Sequence, residues 1–323
     1  MKNPSYAMKL KSKTDRGKEI YKFVSADGVS VKNSFSDAEL ALADTVEPEL
    51  DEDILVVQSG YGFLPVIMAD QAPEGEILGA ETSDRACQIT QLNLAENDSD
   101  NATANKVAFY SELEQSFDKV VYAPEGYESV KVVKNRISYL TELLKDEGQL
   151  FIAGKKTDGI NRYKKYLSSL PGENQKVTQG GKQRVYRYTK TESFEPEYFE
   201  IETEFTAEIK GRELEFTACE GLFSPNDLDE GSRLLIEKLE LSEDDKVLDL
   251  ACGYGIIRVF VKALYGSEIY STDDSKTATY YAEKNLRTNG VQDFVLKNRD
   301  CLDGFKDQKF DAIVSNPPTH QGE

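Results

Sequence analysis

Histidine is nearly absent from the 323-residue chain. His320 is the only one, so neither a histidine metal cluster nor a histidine-centred triad can be built. Cysteine is sparse too. Cys87, Cys219, Cys252 and Cys301 are widely spaced and form no C-x-x-C pair. That pattern argues against a metal site or a disulfide framework and points to a reducing cytoplasm. No apolar run reaches the length of a membrane span, and the N-terminus carries no apolar signal core. Positive charge is in deficit: 39 Lys and Arg face 58 Asp and Glu, a net charge of −19. Such a balance disfavours membranes and indiscriminate binding to nucleic acid. It also suits a salt-rich cytoplasm, so folding that depends on high KCl is an expectation.

What is present centres on residues 246–257. Val247 to Leu250 reads as a short buried strand. Ala251, Gly253 and Gly255 then let the backbone turn tightly, and an apolar helix opens at Ile256. A strand, a small-residue loop and a helix N-terminus let a nucleotide approach bare backbone. Asp249, near the strand end, can meet the cationic or hydroxyl part of such a ligand. A second strand, 268–272, ends at Asp273, which can hold ribose hydroxyls. A strand around 294–296 is followed by Asp300. A fourth, 310–315, runs into Asn316, Pro317 and Pro318. The two prolines stiffen the backbone and remove donors, so the Asn316 amide and the Pro317 carbonyl can be held as acceptors for an exocyclic amine.

Asp-Leu-Ala-Cys-Gly-Tyr-Gly (249–255), Asp273 and Asn316-Pro-Pro resemble the class I S-adenosylmethionine-dependent methyltransferases. The Gly-Leu-Phe-Ser stretch at 221–224 and Leu228 to Leu235 narrow the likeness to the methyltransferase small domain family, the ribosomal RNA guanine-N2 methyltransferases. Thr319 stands where that family usually carries an aromatic residue. The resemblance implies a Rossmann-like α/β fold, S-adenosyl-L-methionine as cofactor, and transfer to guanine in ribosomal RNA or the small ribosomal subunit. Asp249, Ala251, Gly253, Gly255, Asp273 and Asp300 would bind the donor, Asp300 at the adenine amino group. Asn316, Pro317 and Pro318 would be catalytic.

The chain repeats itself. Gly60 and Gly62 match Gly253 and Gly255 at an offset of 193, and Glu81 matches Asp273 at 192. Asn93 matches Asn285 at 192, and Phe117 and Pro124 match Phe310 and Pro317 at 193. Five ordered matches at nearly one offset suggest two copies of one doubly wound domain, 1–190 and 191–323. The first copy has Val56 for Asp249, Gln58 for Ala251 and Ala123-Pro124-Glu125 for Asn316-Pro317-Pro318. It is expected to be degenerate and non-catalytic. By internal comparison the second copy is truncated at its C-terminus. Activity is then conditional on its completion, by further sequence or by a second polypeptide.

Segment 155–190 holds ten basic residues and two acidic ones. Tyr163, Tyr166, Tyr186 and Tyr188 interleave there with Lys164, Lys165, Arg184 and Arg187, as an RNA-binding face would require for stacking and phosphate pairing. A solvated lysine-rich helix and an ordinary strand pair remain the competing reading. The seven basic residues among positions 1–22 read as solvated surface or a basic arm. Two alternatives to an RNA guanine methyltransferase stay open. One is a methyltransferase acting on another amine, in DNA adenine or protein glutamine. The other is a non-catalytic RNA-binding protein.

Overall fold

The computed structural model describes residues 6–11, 18–29, 34–177 and 182–317. The chain opens on an antiparallel hairpin, β1 (Tyr6–Lys11) with β2 (Ile20–Ser25), where a solvated arm was the expectation. Alternation explains the difference. Tyr21 and Phe23 point inward at 2% and 1% exposure, while the intervening lysines face water. Helix α1 (Asp37–Ala43) leads into β3 (Ile54–Val57), α2 (Phe63–Gln71), β4 (Ile77–Glu81), α3 (Asp84–Glu96), β5 (Ala102–Lys106) and β6 (Phe117–Tyr122). There follow α4 (Val130–Glu142), β7 (Leu144–Lys155), α5 (Ile160–Leu167), β8 (Glu173–Lys176) and β9 (Gln183–Thr189). Residues 178–181, between β8 and β9, lie outside the described residues.

The second unit opens on a hairpin too, β10 (Glu202–Ile209) with β11 (Arg212–Cys219), turning at Lys210 and Gly211 in the left-handed region. Then come α6 (Glu230–Lys238), β12 (Lys246–Leu250), α7 (Ile256–Tyr265), β13 (Glu268–Asp273), α8 (Lys276–Thr288), β14 (Val295–Asn298) and β15 (Ala312–Val314).

Beside the two hairpins, two larger sheets form among the described residues, ordered β5-β4-β3-β6-β7-β9-β8 and β14-β13-β12-β15. The four strands at the start of each share one order and are all parallel; β9 and β8 add the antiparallel edge of the first sheet. Helices cover both faces of the first sheet, which is why β3 is apolar throughout and β4 is apolar up to Glu81. In the second unit α7, α8 and the β10–β11 hairpin bury one face around Phe216, Val247 and Phe260. The other face carries Leu248, Tyr270 and Phe305.

The same hydrogen bonds fasten each hairpin to its unit. Asn93 Nδ2 donates to the Val24 and Tyr61 carbonyls, and Asn285 Nδ2 donates to those of Thr217 and Tyr254. Asn97 ties to Lys22 as Asn289 ties to Glu215. These asparagines replace ladder partners that the edge of a hairpin lacks.

The units meet back to back. Ser83 and Ser275, each capping the helix that follows it, form an antiparallel bridge. The Asp84 amide donates to the Asp274 carbonyl at 2.9 Å, and the Lys276 amide to that of Thr82 at 2.8 Å. The N-termini of α3 and α8 therefore each rest on loops of the opposite unit.

Candidate active site

Parallel register brings the second unit's expected site residues to one edge. Asp249 of β12 pairs with Ser271 of β13 on one side and Val314 of β15 on the other, and Asp273 ends β13 opposite Asn298 of β14. In sheet order, the row of strand ends reads Asp300, Asp273, the 251–255 loop, Asn316. Ligands of open α/β sheets lie across such carboxyl ends.

The loop is tightly built. Ala251, Gly253 and Gly255 all have positive φ, of 59°, 55° and 87°. A Cβ on Gly253 would meet nothing within 4 Å, so space above the loop is open. A Cβ on Gly255 would sit 3.1 Å from the Ala282 Cα, so glycine is needed for α7 to approach α8. Gln58 in the first unit shares the left-handed conformation of Ala251, at φ 53°.

Asp249 is fully buried, and neither carboxylate oxygen has a hydrogen-bond partner. Burial pushes its pKa up to about 7, against the pull of Arg258. A buried anion without partners is costly unless a ligand completes it, and a ligand ammonium is of the right charge. Arg258 was not foreseen from sequence. It is fully buried on α7 beneath the loop, with its guanidinium 5.3 Å from the Phe294 ring centroid. Its signal was a lone cation inside the apolar run Ile256 to Val261.

Asp273 Oδ2 accepts from the Gly253 amide and Oδ1 from the Ser275 amide, both at 2.9 Å. Burial raises its pKa, and those two amides oppose the rise. Each oxygen keeps a second lone pair, enough for a ribose diol. Asp300 is buried at the end of β14, where an adenine acceptor was expected. Both its oxygens are held by Arg85 of the first unit, through Nε at 3.0 Å and through Nη2. That partner was not foreseen.

Asn316 Nδ2 donates to Asp229 Oδ2 at 2.7 Å and to Ser232 Oγ at 2.9 Å. Both amide hydrogens are committed, so the amide cannot flip and acceptance falls to Oδ1. Asp229 also caps α6, accepting from the Gly231 and Ser232 amides. In the sequence, Leu228 to Leu235 stood out as part of the family likeness. Pro317 is exposed, and Pro318 lies outside the described residues. Tyr254 donates to the Ser224 carbonyl at 3.0 Å and joins the 221–224 stretch to the glycine loop.

In the first unit, Glu81 repeats the role of Asp273. It accepts from Gly60 and Thr82 amides at 3.1 and 2.9 Å, and burial pushes it up to about 7. Val56 stands for Asp249, and the Gln58 side chain donates to Glu128 at 3.2 Å.

The expected RNA-binding face needs correction. Tyr163, Tyr166, Tyr186 and Tyr188 are 2, 8, 5 and 0% exposed and belong to the core between α5 and the sheet, so no base can stack on them. Arg184 and Arg187 lie three apart on β9 and so leave opposite faces of the sheet. Lys164 and Lys165 are exposed on α5. The four cations do not form one patch.

Among the described residues no helix is long and apolar enough to cross a membrane, and no group of three His, Cys, Asp or Glu could hold a metal. The central parallel sheet, the glycine loop and the acids at neighbouring strand ends make this an α/β protein of the class I methyltransferase fold. The methyltransferase small domain family model matches residues 20–187 and 213–323, and the chain belongs to that family. A ribosomal RNA small subunit methyltransferase C from Acinetobacter baumannii is 29% identical over 214 residues, covering 64% of this chain and 62% of that protein. One of the same name from Pseudomonas paraeruginosa is 31% identical over 177 residues, covering 54% and 52%. The chain thus matches less than two thirds of the length of these relatives. A solved T. thermophilus 16S rRNA N2 methyltransferase, in complex with AdoMet and guanosine, has the same fold. It superposes with a TM-score of 0.81 at 24% identity, covering 98% of this chain and 81% of that one.

Proposed function

We propose that the chain transfers the methyl group of S-adenosyl-L-methionine to the exocyclic N2 amine of guanine in small-subunit ribosomal RNA. The observation that carries this reading is the fixed Asn316 amide, whose Oδ1 is left to accept from an amine at the row of strand ends. The names of the relatives supply the substrate class. The donor supplies an activated methyl group on a sulfonium, and the chain has to bind, orient and exclude water. The donor set fits. Asp249, buried without partners, takes the ammonium of the donor's methionine end; Asp273 takes the ribose hydroxyls; Ala251 to Gly255 pass beneath. Asn316 Oδ1 and the Pro317 carbonyl accept from the target amine. Two acceptors aim the nitrogen lone pair at the methyl group and stabilise the positive charge that grows on nitrogen. A base within structured RNA has to be unstacked to reach them.

Residues 1–190 and 191–323 are best read as duplicated copies of one domain. Matched hairpin fastenings, a matched strand order and Glu81 in the place of Asp273 support this. The first copy, with Val56 and Gln58 at its loop, is the non-catalytic one. It supplies scaffold and, through exposed Lys164 and Lys165, phosphate contacts to the RNA in the cytoplasm. The test is transfer of tritiated methyl to small-subunit ribosomal RNA. Asn316→Ala should abolish transfer while the donor still binds. Transfer at the wild-type rate by that variant would refute the assignment.

A further inference from the structure

The first unit reaches the end of β14 and the segment after it through the side chains of Asp84, Arg85 and Lys106. Arg85, at the start of α3, holds both oxygens of Asp300 in a side-on fork, with the two side chains 22% and 9% exposed. The arginine is itself fixed. Its Nη1 donates to the Asp27 carbonyl, and it lies over Gly28, where a Cβ would come 2.6 Å from that nitrogen. Its backbone amide donates to Asp274 Oδ1 at 2.8 Å, and the Asp300 amide donates to Asp84 Oδ2 at 3.1 Å. Asp300 follows the strand next to Asp273, and the Arg299 amide donates to the Asp273 carbonyl at 3.0 Å.

The junction carries its own control. At the repeat offset, Thr277 corresponds to Arg85 and Ala108 to Asp300, and Thr277 Oγ1 donates to the Ala108 carbonyl at 2.7 Å. The mirrored contact joins the units with a neutral hydrogen bond. The charged fork occurs only on the side that faces the second unit's loops; the ion pair of the mirrored side joins Lys276 to Glu112 at 3.2 Å, away from the Ala108 position. A side-on fork uses one lone pair of each carboxylate oxygen; the Cys301 side chain takes one more, and one is left for a further donor.

On the reading that the second unit binds S-adenosyl-L-methionine, we propose that Arg85 is a positioning residue of that donor site: it fixes the Asp300 carboxylate to accept from the 6-amino group of adenine. The same contact makes the first unit necessary for recognition of the purine.

Calorimetric titration of the full chain with S-adenosylhomocysteine and S-inosylhomocysteine tests this. The second ligand has a 6-keto acceptor in place of the amino donor, and should bind wild type about tenfold or more weakly. Arg85→Met should narrow that ratio to within about threefold. Arg85→Lys, which keeps the charge and loses the fork, should lie between. Thr277→Val, which breaks the mirrored contact, should leave the ratio at the wild-type value. A wild-type ratio in both Arg85 variants, even with both ligands weakened together, would overturn the proposal. A wild-type chain that binds neither ligand would overturn the donor-site reading and this inference with it.

Discussion

Asp229→Ser separates two jobs that one carboxylate performs. Asp229 caps α6 through the Gly231 and Ser232 amides, at 3.1 and 2.8 Å, and holds Asn316 Nδ2 at 2.7 Å. Serine is as good a cap as aspartate, so helix α6 should lose only a few tenths of a kcal/mol. The shorter side chain withdraws from Asn316. A hydrogen bond to a charged group contributes about 1.5–3 kcal/mol. Both partners are partly exposed, which reduces that to roughly 1–2 kcal/mol. With only Ser232 Oγ left to hold it, the amide can turn its Nδ2 toward the target amine and repel it. The loss then falls on the rate, by about 5- to 30-fold. Single-turnover methyl transfer, donor titration and a thermal melt read the three quantities apart. The expected result is a slower transfer step, unchanged donor affinity and a Tm close to wild type. A wild-type rate would show that Asn316 needs no anchor, and the catalytic reading would lose its main support.

Three further outcomes are expected. Glu39 is buried with Oε2 unpartnered, and burial with repulsion from Glu125 pushes it up to about 8. Unfolding releases its proton above the ordinary carboxylate pKa, so its presence destabilises the fold as pH rises from about 4.5 to 8, the full effect lying above 8. Glu39→Gln should therefore raise Tm at pH 8.5 more than at pH 5, and equal shifts would contradict this. Gly255→Ala, with φ of 87° and the added Cβ 3.1 Å from the Ala282 Cα, should cost at least ~1–2 kcal/mol in urea unfolding. A net charge of −19 predicts that KCl raises Tm by screening self-repulsion, and a flat salt profile would remove that term.

The strands and the glycine loop of the second unit were legible because local chemistry dictates them. Apolar runs of four or five residues, broken by Ala251, Gly253 and Gly255, leave little choice but a strand and a tight turn. The matches at one offset were legible for the same reason, and Asn93 and Asn285 acquire a physical role in fastening the two hairpins. The tyrosine-rich segment was misread although its spacing was informative. Tyr163 and Tyr166 lie one helical turn apart and Tyr186 and Tyr188 one strand repeat apart, which is the pattern of buried faces. Hairpin β1–β2 was hidden because lysines alternate with its apolar residues. Arg85 was beyond sequence reasoning, since it meets Asp300 only through packing of units 215 residues apart. Asp229 was legible as polar surface, and only its contact with Asn316 gives it a further role.

The most direct measurement is nucleoside mass spectrometry of small-subunit ribosomal RNA after reaction with this chain and S-adenosyl-L-methionine. The account predicts N2-methylguanosine with the wild-type chain and none with Asn316→Ala. Methyl on adenine, or on protein and not on RNA, would contradict it.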